Sequence, residues 1–85
     1  MSNDRPAQVQ QEDLLDRADV IDGGVRAVLA HLDLSRTDAD HERTIDALMA
    51  VSRAADALRA LARNDFPAAD EATKSMARYA DRARD

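Results

Sequence analysis

Apolar residues, broken by a single threonine, recur in two rows at alternating steps of four and three. One row is Leu14, Ala18, Ile21, Val25, Val28 and Leu32; the other is Thr44, Leu48, Val51, Ala55, Leu58 and Ala62. That step keeps one stripe of an α-helix turned toward one partner. Three pairs drawn from the two rows are centred on Arg36. A turn there makes an antiparallel hairpin and sets Leu14 against Leu58, Ile21 against Val51 and Val28 against Thr44. A third, narrower stripe of Ala69, Ala72, Met76, Tyr79 and Ala83 follows Pro67. The pattern predicts an all-α chain, an antiparallel helical hairpin plus a shorter third helix. This is an up-down-up three-helix bundle, expected to dimerise into a larger bundle.

Local signals place the boundaries. Residues 1–9 are polar and without period, which predicts a flexible N-terminal arm ahead of one helical-bundle domain over 10–85. Helix one is expected from Gln10 to Leu32. Gly23 and Gly24 interrupt it, and each costs about 1 kcal/mol relative to alanine inside a helix. They suggest either a break or a close approach of another backbone. The unbroken heptad phase across them favours a continuous or kinked helix. In the first turn, Asp33 to Thr37, Ser35 with Asp38 or Thr37 with Asp40 has the spacing of a hydroxyl cap and an acid. Helix two is expected to end at Arg63. Phe66 precedes a proline, which predicts a third helix starting at Pro67. The run Asn64-Asp65-Phe66-Pro67-Ala68-Ala69 resembles the turn between the paired helices of a tetratricopeptide repeat. The likeness is one of turn chemistry: the aromatic and glycine signature of that family is missing from helix two, and no 34-residue self-similarity is present.

Composition changes the picture in one respect. Nearly half of the apolar residues of this 85-residue chain are alanine, with one Phe, one Tyr and no Trp. Alanine favours helix but removes little area from water, so the core is thin. With no Cys to staple it, association is the remaining common route to stability. The expected core is Leu14, Ile21, Val25, Val28, Leu32, Leu48, Val51, Ala55 and Leu58. Leu29, Ile45, Met49 and Leu61 fall beside the seam and are the candidate partner-binding residues.

The net charge of −5 is uneven: −6 over residues 1–42 and +1 over 43–85. The hairpin would set Glu12, Asp13, Asp16 and Asp19 beside Arg53, Arg59 and Arg63, a pairing that helps fix orientation. With Asp22, the same acids form a candidate acidic face able to imitate a row of phosphates.

Catalytic and metal chemistry finds little support. His31 and His41 flank the first turn with Asp33, Asp38 and Asp40 nearby, but they match no zinc-ligand spacing, so no metal or cofactor is expected. A calcium loop starting at Asp38 fails, because its sixth position is Arg43 and its twelfth is Met49. Ser52 and Ser75 have no histidine at helical spacing, and no glycine-rich phosphate loop exists. No catalytic residue is assigned, and the chain is expected not to be an enzyme. An acidic, aromatic-poor chain argues against direct nucleic-acid binding. No apolar run reaches the ~18 residues of a membrane span, and Met1 to Gln10 carries no signal-peptide core, so the cytoplasm is the default location. The resulting expectation is a small non-enzymatic interaction or regulatory protein that packs helices with itself or a partner protein. The alternative is an acidic inhibitor or antitoxin-like protein that masks a basic site.

Overall fold

The computed structural model describes residues 4–33 and 35–84, with side chains from residue 10 onward. Residues 1–3 of the expected arm and Leu34 of the expected turn lie outside the described residues. Three helices account for nearly all the rest: α1 at Asp4–His31, α2 at Ala39–Ala62 and α3 at Phe66–Arg84.

Helix α1 begins at Asp4, upstream of the expected Gln10, so residues 4–9 carry helical backbone. It runs unbroken through Gly23 and Gly24. A Cβ placed on either glycine would meet nothing within 4 Å. Close approach by another part of this chain is therefore not what the glycines serve.

The first turn is capped by a carboxylate rather than a hydroxyl. Asp38 precedes α2 with an extended backbone and accepts the His41 backbone N–H at 3.2 Å. Arg36 grips the same carboxylate with two N–H groups, each at 2.8 Å. Ser35 instead gives its backbone N–H and its hydroxyl to Asp33, at 3.0 and 2.6 Å. A carboxylate is the better acceptor beside the positive end of the α2 dipole, and it leaves the serine free to close the turn. The Arg36 hydrogen bonds hold the Asp38 carboxyl below its ordinary value, and those of Ser35 do the same for Asp33. A group lowered in the folded state adds stability above its unfolded value and loses it as pH falls through the lowered one. Denaturant titrations should therefore show stability falling below about pH 4, the ordinary carboxyl range. Asp38→Asn, which keeps a capping acceptor but no charge, should make that fall shallower.

The second turn is a Schellman ending. Asn64 takes φ 58°, the left-handed region. Its N–H donates to the Leu61 carbonyl at 3.0 Å, and the Asp65 N–H reaches the Ala60 carbonyl at 2.9 Å. Asp65 then caps α3 by accepting the Ala68 N–H at 3.2 Å. With that cap in place α3 starts at Phe66, so Pro67 is its second residue, and Phe66 is helical rather than outside the helix as expected. Asparagine tolerates the left-handed conformation and a β-branched residue does not. Asn64→Val should therefore cost about 1–2 kcal/mol, read as a lower midpoint of urea unfolding.

Helix α2 is the middle of a single layer. Both α1 and α3 pack on it, and among the described residues they do not touch each other. The dimensions agree. Three helices side by side at about 9 Å spacing span roughly 23 Å across their Cα cylinders. The molecule measures 57 × 24 × 15 Å. Its length exceeds the roughly 42 Å of a 28-residue helix, so α1 and α2 are staggered rather than flush.

The buried apolar residues are small: Ala18, Val25, Ala50, Ala55, Ala60, Ala62 and Ala69, with His41 as the buried polar residue. Val25 and Ala55 are the two expected core residues among them. Leu14, Ile21, Leu32, Leu48 and Leu58 are half-buried. Val28 and Val51, expected in the core, are 44% and 43% exposed, and Thr44 is exposed too. Leu29 takes the place of Val28 in the stripe that faces α2. On a straight helix a strict heptad row drifts by about 20° per repeat, and that drift rotates Val28 outward.

Candidate functional site

The α1–α2 seam has two edges of different chemistry. Along one, Arg59 donates to Asp19 at 3.0 Å and lies 2.5 Å from Asp22. Those two carboxylates raise the Arg59 guanidinium above its ordinary value, Asp19 contributing most. Along the other edge, Leu58 faces Val20, Ile21, Asp16 and Arg17 across an open groove of about 390 Å³. Both edges fix the register. Leu58 lies beside Ile21 rather than Leu14, one heptad away from the expected pairing.

The alternation around α2 extends each edge along the helix. Positions 47, 51, 54, 58 and 61 form one row: Ala47, Val51, Ala54, Leu58 and Leu61. Positions 45, 49, 52, 56 and 59 form the other: Ile45, Met49, Ser52, Asp56 and Arg59. The second row is half-buried throughout, whereas Ala47, Val51 and Leu61 of the first are exposed. On α1, Val20 continues the apolar edge and is 75% exposed. Val28 lies two turns further along the same side.

The candidate partner-binding residues are divided by this arrangement. Leu61 is 40% exposed and belongs to the open apolar row. Leu29 is half-buried in the α1 stripe. Ile45 lines a second cleft, of about 450 Å³, with Arg36, His41, Glu42, Asp46 and Arg82. Met49 is half-buried, one turn beyond Ile45. Val20 was not singled out by the sequence, and Val51 was assigned to the core rather than to a contact surface. The signal for Val51 was present, since it sits in the row 47-51-54-58-61 as well as in the row assigned to the core.

The acidic face is divided too. Asp13 holds Arg17 at 2.8 Å, and Asp19 and Asp22 hold Arg59, while Glu12 and Asp16 are exposed. Arg53, expected beside the acids of α1, pairs with Asp56 of its own helix at 3.2 Å. His31 is exposed at the end of α1, and His41 is buried in the first turn of α2. Among the described residues no group of three His, Cys, Asp or Glu side chains is placed to hold a metal ion. No described helix is long and apolar enough to cross a membrane. Comparison of the chain with protein-family models, with curated proteins and with solved structures gave no match.

Proposed function

We propose that this chain is a small non-enzymatic interaction protein that works by packing helices against itself or against a partner protein. The observation that carries the reading is the uncovered apolar edge of the α1–α2 seam. Valines exposed by 43% to 75% on adjacent helices are costly to leave in water, and a contiguous apolar patch on a small domain marks a contact surface. The location that best suits the chain's cysteine-free composition is the cytoplasm.

The test is affinity capture of the tagged chain from its own host, compared with the same chain carrying Val51→Glu. Because Val51 is exposed, the substitution should leave the helices intact. Stoichiometric capture of one protein, or of untagged copies of the chain, that disappears with Val51→Glu supports the reading. Capture that is indifferent to Val51 but lost at high salt would favour the acidic inhibitor instead.

A further inference from the structure

We infer that the open apolar face formed by α1 and α2 is covered by a second copy of this chain, packed face to face. The inference rests on the interaction reading above and names the occupant.

A compact monomer of 9.3 kDa exposes about 5,000 Å². This chain exposes 6118 Å². The surplus, about 1,100 Å² over the whole elongated chain, is comparable with the roughly 800 Å² that each partner buries in a stable interface. The shape of the occupant follows from the layer. A lone helix would fill one groove of a single-layer protein and leave the rest wet, whereas another layer of helices covers the whole face. The chain itself is such a layer. Charge agrees. Two copies at −5 each repel unless they meet through a charge-poor surface. The Arg59 ion pairs with Asp19 and Asp22 lie on the opposite edge of the seam. Two charged residues border the apolar groove: Arg17, neutralised by Asp13 at 2.8 Å, and the exposed Asp16. Gly24, exposed between Val20 and Val28, completes the argument. No described atom of this chain lies within 4 Å of the place its Cβ would occupy, so the chain leaves the site uncovered. A two-fold arrangement places the same patch on both sides and closes the assembly.

Sedimentation equilibrium of the full chain at about 100 μM, above the dissociation constants common for interfaces of this size, tests the inference. The expected result is twice the 9.3 kDa chain mass. Val20→Glu and Val51→Glu should each return the single-chain mass with the helical circular dichroism retained. Leu15→Glu serves as the control. Leu15 is also exposed, but it shares its side of α1 with Asp19 and Asp22, so this variant should remain a dimer. A single-chain mass for the unsubstituted protein overturns the inference. So does a dimer indifferent to both valine substitutions, or one broken equally by Leu15→Glu. If the chain is monomeric but Val51→Glu abolishes capture of a different protein, the second copy is wrong and the interaction reading stands. If neither association occurs, both fall.

Discussion

Replacing Ala18 with leucine should unfold the protein more readily than any change on its exposed faces. Ala18 and Ala55 are wholly buried. Since among the described residues α1 packs on α2 alone, the burial of Ala18 is made at that seam. Three added carbons at a wholly buried position have no vacant space to enter without moving α1 away from α2. Overpacking of this kind costs about 1–3 kcal/mol. A chain of 85 residues has a total stability of roughly 4–13 kcal/mol, so the loss is a large fraction of it. At about 4–8 °C per kcal/mol for a domain of this size, the melting temperature should drop by several degrees at least. Ala55→Leu should do the same from the α2 side. Val51→Leu, on the open face, should change the melting temperature by far less. Calorimetry on the three variants checks the ordering. If Val51→Leu proves as damaging as Ala18→Leu, the seam is misplaced.

Alanine at Gly23 and Gly24 should stabilise the chain by about 1 kcal/mol each. Both residues lie in the interior of an unbroken helix, both are exposed, and neither takes the positive φ that only glycine adopts freely. A Cβ would meet nothing, so the gain in helix propensity and the reduced freedom of the unfolded chain come without a clash. The double variant should melt higher by roughly 8–16 °C if the two gains add. The two glycines should differ in association, however. Gly23 points away from both helices and solvent covers it, whereas Gly24 borders the apolar face. A larger residue, Gly24→Leu, should therefore weaken self-association while Gly23→Leu leaves it unchanged. Thermal melts at low concentration, together with sedimentation at high concentration, separate the two effects.

The three helices and both turns were legible because the signals for them are local. Period, caps and prolines act within a few residues, and Pro67 started α3 to within one residue. The pairing of α1 with α2 was harder to read. Rows that repeat every seven residues face each other equally well after a slip of one heptad, and Leu58 met Ile21 instead of Leu14 by such a slip. Ion pairing does not forbid it, because α1 has acids at 13, 16, 19 and 22, and Arg59 finds two of them in the shifted register. The core was misread for a related reason. Hydrophobicity ranks valine above alanine, yet the closest approach of two helices selects the smallest side chains. Ala18, Ala55, Ala60 and Ala62 therefore went inside, while Val28 and Val51 stayed at the rim. That α1 and α3 would not touch was invisible, since a stripe shows which face is apolar and not which neighbours share it.

Because the chain has no native cysteine, thiol labelling of single-cysteine variants tests most directly whether one row of α2 is left open by its own chain. Val51→Cys and Ala55→Cys would be labelled in the folded protein at sub-micromolar and at high concentration. Val51→Cys should react in dilute solution at nearly the unfolded rate and become protected as the concentration rises, with Ala55→Cys protected throughout. A Val51→Cys thiol as slow as that of Ala55→Cys in dilute solution would mean that the chain covers this row itself, and the open face would not exist.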